Sequence, residues 1–401
     1  MRYSSKKEKI MLYKVLFMLF TVIVYLVGKS LPLYMIDEMA YAEAAVSTEE
    51  ILLQTIRGDR YQYSIFALGI SPYLISNIAI QMLFAFKSSE SRARVSPKKM
   101  NRYTVSLTLG ISLLMAVMQV PELKFKELEM DLFFVQFVVT VEMIAGAMLI
   151  FWLSKRNKKY GIGGQSVLIL INLLDTFTFN LGGHKQNQMI IALVLTVMAM
   201  TVMAFFENIE KRIPLQRVSI HNIYADKNYL AIKMNPIGVM PAMFSMALFT
   251  MIQLLINLVG VFLGDLHAYQ WIKEEIVLTE PLGIIVYVVG IYFLSVVFSR
   301  VFLNPKETTE QFLKSGDSIR NIHAGRDTKR YLSRNITGLA LLSATMMSVF
   351  LACPLILQMY GYLDGTLAAL SSSGMLLVGV ICNLIREIMA VRYIEGYKPF
   401  I

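Results

Sequence analysis

Two carboxylates stand inside apolar stretches of this chain: Glu142 in the run 132–153 and Asp175 in the run 166–181. Burying a carboxylate among lipid or packed helices is costly, and a proton relay would use such a pair. The same groups could instead make polar contacts to a neighbouring helix or an aqueous cavity. Asp175 lies near the end of its run, where water is close, and Glu142 is more central. Other reactive groups are sparse. The four histidines, His184, His221, His267 and His323, are far apart, and no Cys or His spacing suits a metal. Cys353 and Cys382 each fall in an apolar run and read as packing residues. Gly28-Lys29-Ser30 resembles the end of a phosphate-binding loop, but Ile23 stands where that loop needs its first glycine. We expect no catalytic residue, metal or cofactor, so any energy must come from a partner or an ion gradient.

The elements that position these groups are membrane spans. The 401 residues are 56% hydrophobic and only 16% charged, with mean hydropathy +0.56. A soluble domain of this length needs more charge on its surface. A helix crosses a bilayer with roughly 20 apolar residues. Ten runs qualify as candidates: 10–27, 64–86, 104–120, 132–153, 166–181, 189–206, 238–263, 282–303, 335–357 and 366–385. The first follows a basic start, but it is longer than a signal-peptide core and reads as a transmembrane helix. Pro72 and Pro241 are expected to kink the second and seventh spans.

The net charge of +10 suits either nucleic acid or a membrane surface, and its distribution selects the membrane. With the N-terminus in the cytosol, inner segments hold 31 of the 38 Lys and Arg. This positive-inside bias places both ends in the cytosol. Anionic lipid is therefore an expected partner and nucleic acid is not. Two inner loops exceed what topology requires. In the loop 207–237, YLAIKM alternates and can pair with IPLQRVSI as a hairpin. The loop 304–334 mixes both charge signs and is too polar to enter a bilayer.

Five segments carry a family likeness: SIFALGISPYLISNIAIQML at 64–83, YGIGG at 160–164, KRIPLQ at 211–216 with YLAIKMNPIGVMPAMF at 229–244, NPKETTEQFLKSG at 304–316, and GRDTKRYL at 325–332. In order and sidedness they resemble SecY, the pore subunit of the Sec protein-conducting channel. The resemblance implies an all-α polytopic membrane protein, with ten transmembrane helices in two inverted five-helix halves around a central pore. Residues 1–206 would hold helices 1–5 plus helix 6 of the second half. The cytosolic loop 207–237, helices 7–8 in 238–303, the cytosolic motor-docking loop 304–334, and helices 9–10 with the tail in 335–401 would follow.

The resemblance also implies roles. A ring of apolar side chains closes the pore, and by motif position it falls on Ile70, Leu74, Ile169, Leu173, Met243 and Leu376. A plug helix would lie near 48–62. Helices 2 and 7 would flank a lateral gate, with Asn77 and Ser245 at its edges. Lys306, Lys314, Arg320, His323, Arg326, Lys329 and Arg330 would dock a SecA-type ATPase. SecE-like and other small membrane subunits and an unfolded preprotein would be further partners.

Two departures from the family pattern stand out. His323-Ala324-Gly325 replaces the usual Arg-Pro-Gly turn, and GIGGQ at 161–165 shortens the usual GIGNG run. Both resemble the accessory SecY paralogues of Gram-positive bacteria, which serve a dedicated accessory SecA and export serine-rich glycosylated adhesins. The competing reading is a secondary transporter of a small solute, coupled to protons through Glu142.

Overall fold

The computed structural model describes residues 2–37, 63–85, 95–126, 131–180, 186–217, 228–263, 271–273 and 275–396. The expected plug segment, 48–62, lies outside them. The elements in order are α1 (Arg2–Ser30), α2 (Ser71–Ala85), α3 (Pro97–Gln119), α4 (Leu132–Tyr160), α5 (Gln165–Asn180), α6 (Gln186–Asn208), β1 (Glu210–Arg217), β2 (Tyr229–Lys233), α7 (Met240–Leu263), α8 (Pro281–Phe302), α9 (Pro305–Ser315), β3 (Asp317–Ile319), α10 (Arg326–Met359) and α11 (Gly365–Gly396).

Among the described residues, six helices are long and apolar enough to cross a membrane: α1, α4, α6, α8, α10 and α11. Shorter apolar helices occupy 165–178 and 240–253. Large apolar side chains such as Phe133, Phe137, Val194, Ile285 and Phe293 stay exposed on these helices. Water would penalise such surface heavily, whereas a hydrocarbon core welcomes it. The molecule is a multi-pass membrane protein.

The prolines do not kink their helices, contrary to expectation. α2 begins at Ser71 and α7 at Met240, so Pro72 and Pro241 occupy the second position of each. Proline is stable in a first helical turn, where its missing N–H has no partner to lose. The apolar residues just before them form turns instead. Each turn contains a glycine in the left-handed region, Gly69 at φ 56° and Gly238 at φ 73°. Gly69-Ile70-Ser71-Pro72 and Gly238-Val239-Met240-Pro241 are thus one device used twice.

The largest buried cluster draws on nine helices, every long one except α3. A second joins the segment 31–37 to α3 and α4, and includes Leu33, Met115 and Val139. The expected hairpin forms, with Glu210 opposite Lys233 and Pro214 opposite Tyr229. β3 then adds to the other edge of β1, pairing Leu215 with Ile319 and Arg217 with Asp317. Strands from the two polar loops therefore form one three-stranded sheet, β2-β1-β3. Ile213, Ile232 and Ile319 seat it on Leu332, Ile336 and Leu339 of α10.

Candidate pore and docking surface

All six expected ring residues lie in the largest cluster. Ile70, Leu74, Leu173 and Leu376 are almost fully buried, and Ile169 and Met243 nearly so. The α2 turn presents Ile70 and Leu74, α5 presents Ile169 and Leu173, α7 presents Met243, and α11 presents Leu376. Side chains from both ends of the chain thus meet in one apolar region. Apolar packing of this kind excludes water and offers no hydrogen-bonding group.

Asn77 and Ser245 each bond within their own half of the chain. Asn77 accepts from Gln81 Nε2 at 3.1 Å, one turn along α2. Ser245 is buried and donates to the carbonyl of Tyr287 at 2.8 Å. Beside it, Phe244 stacks edge-on against Phe298. This face of α7 is therefore committed to α8. Gly290 permits the approach, since a methyl there would fall 2.5 Å from Ser245 Oγ.

Both intramembrane carboxylates have fixed partners. Lys29 donates to Asp175 Oδ2 at 2.6 Å and to Asn172 Oδ1 at 3.2 Å. Tyr25 O–H donates to the same Asn172 oxygen at 2.7 Å. Glu142 Oε2 accepts the Tyr34 N–H at 2.9 Å. These contacts tie α1 and its following segment to α5 and α4.

On the polar side, NPKETTEQFLKSG is a fully capped helix. Asn304 Oδ1 accepts the Glu307 N–H while Asn304 Nδ2 donates to the Glu307 carboxylate at 2.8 Å. Pro305 takes the first turn, and Gly316 closes the helix in the left-handed region at φ 71°. Lys306, Lys314, Arg320, His323, Arg326, Lys329 and Arg330 are all exposed around α9, β3 and the start of α10. Lys306 meets Glu310 only at 4.0 Å, in the open. Gly325, at φ 94°, takes a conformation that a side chain would strain. It turns the chain into α10, next to His323, whose carbonyl accepts from Thr328 at 2.8 Å.

Sequence reasoning missed a polar junction at this end of the helices. The Glu207 carboxylate is fully buried and ion-paired with Arg386 of α11. It also accepts from Asn235 Nδ2 at 3.0 Å. The neighbouring Glu387 accepts the Gly163 N–H at 3.2 Å. Gly163 sits at φ 80°, and a methyl there would fall 2.5 Å from Leu384. The glycines of YGIGG therefore let the α4–α5 turn touch α11. Asn157 holds that turn by donating to the carbonyls of Ile162 and Gly164, each at 3.0 Å.

The SecY family model matches residues 64–385. Named relatives are similar over nearly the full length of the chain. The accessory Sec system protein translocase subunit SecY2 of Streptococcus sanguinis (strain SK36) is 24% identical, over 98% of this chain and 99% of its own. The subunit of that name from Streptococcus pneumoniae (strain CGSP14) is 25% identical, over 100% and 99%. Among solved structures, one titled "The structure of a protein conducting channel" superposes with a TM-score of 0.69 at 16% identity, covering 96% of this chain and 93% of that one. Sec61 in the canine ribosome-channel complex gives 0.61 at 17%, over 96% and 93%. Such identities show a shared fold. The family match covers α2 to α10, the three-stranded sheet and most of α11, and this chain belongs to the SecY family.

Proposed function

We propose that this chain is the pore subunit of a channel passing unfolded polypeptides across the cytoplasmic membrane of a bacterium, in an accessory Sec system. It spans the membrane ten times, as two inverted five-helix halves, with both termini cytosolic. The convergence of Ile70, Leu74, Ile169, Leu173, Met243 and Leu376 in one buried region carries this reading. At rest these side chains pack together and exclude water and ions. A translocating chain displaces them, and they close around its varied side chains through dispersion contacts alone. Met243 suits that role because its thioether side chain is flexible. The channel performs no chemistry of its own. A SecA-type ATPase on the cytosolic side supplies the work, docking on α9 and the start of α10. SecE-like and other small subunits brace the halves, and serine-rich glycoprotein adhesins are the substrates.

The fixed partners of Glu142 and Asp175 favour this reading over proton-coupled solute transport. Capture of an export intermediate tests it. A secretory chain stalled by a folded C-terminal domain should photocrosslink to a probe at Met243, and only while the accessory ATPase is supplied. Absence of that adduct, with the stalled chain verified at the membrane, rejects the pore assignment.

A further inference from the structure

We infer that Arg386 is a positioning residue that ties the three-stranded sheet to the apolar closure, so that a load on the sheet shifts the closure. The inference rests on the pore and motor roles proposed above. Both roots of the β1–β2 hairpin converge on Arg386. Glu207 stands just before β1, and its fully buried carboxylate is ion-paired with Arg386. Arg386 also donates to the Glu207 carbonyl at 2.8 Å. Asn235 stands just after β2 and donates to the same carboxylate at 3.0 Å. β3 pairs along the other edge of β1 and follows α9 directly, so force on α9 reaches this root through the sheet.

From Arg386 the connection runs along α11, which also carries Leu376. Leu384 lies against Gly163, and Glu387 accepts the Gly163 N–H at 3.2 Å, at the turn that leads into α5 with Ile169 and Leu173. Gly379 lies so close to Val239 that a methyl there would run into it. The Val239 carbonyl in turn accepts the Met243 N–H at 3.2 Å. Four of the six proposed ring residues therefore sit on α11 or on elements that its C-terminal half touches. α11 is continuous from Gly365 to Gly396. A stiff helix carries a shift between Arg386 and Leu376, which are about 15 Å apart along its axis.

The junction is also able to rearrange. Asn235 Oδ1 and Arg386 Nη1 are buried and have no hydrogen-bond partner among the described residues. A polar atom buried without a partner is costly. The resting arrangement thus leaves two bonds unmade, and a small shift of α11 against the hairpin root exchanges its contacts for others. An ion pair that only held the fold together would be most stable with every donor and acceptor met. Coupling through such an element is reciprocal. If motor binding favours the open closure, an opened closure favours motor binding by the same factor.

The test reads that factor as an affinity, with the full chain in nanodiscs and the accessory SecA-type ATPase held by a non-hydrolysable ATP analogue. M243N, which wets the closure, should tighten motor binding by roughly fivefold or more. In E207Q/R386M, which removes both charges, adding M243N should leave the affinity unchanged. R386K keeps a positive charge on Glu207 and should retain most of the tightening. Thermal unfolding separates coupling from stability, since E207Q relieves the instability of R386M without restoring the tightening. Should the double variant not fold, N235A cuts the β2 root alone and should lower the factor. Equal tightening by M243N in the unaltered chain and in these variants would overturn the inference. So would no tightening in the unaltered chain although M243N raises its resting conductance. A resting conductance that M243N leaves unchanged would reject the closure itself, and absence of motor binding to the unaltered chain would reject the motor role. The inference falls with either.

Discussion

Arg386 of α11 reaches the fully buried carboxylate of Glu207 at the end of α6. Its guanidinium also donates to the Glu207 backbone carbonyl at 2.8 Å. The next residue, Glu387, holds the turn between α4 and α5 through Gly163. Two consecutive residues of α11 thus fasten elements from both ends of the chain. Lys233 lies beside this junction on β2, and burial, then the Arg386 charge, push its ammonium below the ordinary lysine range. The junction is crowded with charge, so its geometry is sensitive to losing either partner.

Arg386→Met should leave the Glu207 carboxylate buried with only Asn235 to hold it. Breaking a buried pair from one side costs about 3–5 kcal/mol. Glu207→Gln with Arg386→Met should cost clearly less than Arg386→Met alone, because no charge remains unpaired. Thermal unfolding of the purified variants in detergent gives the double-mutant cycle. A cost below about 1 kcal/mol for Arg386→Met would show that water already reaches Glu207.

Ile70→Asn or Met243→Asn should wet the apolar closure, since an amide side chain retains water that an aliphatic one expels. The expected outcome is ion leak through the resting channel and acceptance of weaker export signals. Planar-bilayer conductance and an export reporter measure the two effects. Unchanged conductance and unchanged signal selection in both variants would remove these residues from the closure.

Local chemistry made parts of this molecule legible in its sequence. Alternation in YLAIKM revealed the β1–β2 hairpin. Ile70, Leu74 and Met243 follow from ungapped motifs, whereas Ile169, Leu173 and Leu376 depend on where gaps are placed. What escaped was set by tertiary context. Hydropathy does not separate a helix from an apolar turn, so the segments before Pro72 and Pro241 looked helical. Gly69 and Gly238 were the available signal, since glycine takes a positive φ without strain and proline suits the first turn of a helix. β3 has only three residues, and its partner strand lies about a hundred residues earlier. No local pattern shows that the Ser245 hydroxyl donates to the Tyr287 carbonyl, 42 residues away. Nothing local pairs Glu207 with Arg386, which are 179 residues apart.

The Ser245 contact bears on the proposed gate. Cysteines at Asn77 and Ser245 should crosslink poorly in the resting channel, because Ser245 is turned into α8. Gly290→Ala should instead drive α7 from α8 by placing a methyl 2.5 Å from Ser245 Oγ. Overpacking of this kind costs about 1–3 kcal/mol. Ser245→Ala in the same chain should recover most of it, since the clashing oxygen is gone. Thermal unfolding measures the rescue, and its absence would place the strain elsewhere. A high disulfide yield between positions 77 and 245 would mean that α7 rotates at rest.

The motor surface is the remaining test, and charge decides it. Arg320 and Arg326 are exposed on either side of His323, where the family usually has arginine. Arg320→Glu with Arg326→Glu should lower affinity for the accessory ATPase, chiefly by slowing association, and the loss should shrink as salt rises. Insertion should survive, because the remaining inner segments keep their positive bias. His323→Arg restores the family's residue and should improve the fit to a housekeeping motor more than to the accessory one. Binding of both motors to nanodisc-held channel, at low and moderate salt, separates these outcomes. Equal affinity of the unaltered channel for the two motors, or charge reversal without loss, would show that this turn does not select the motor.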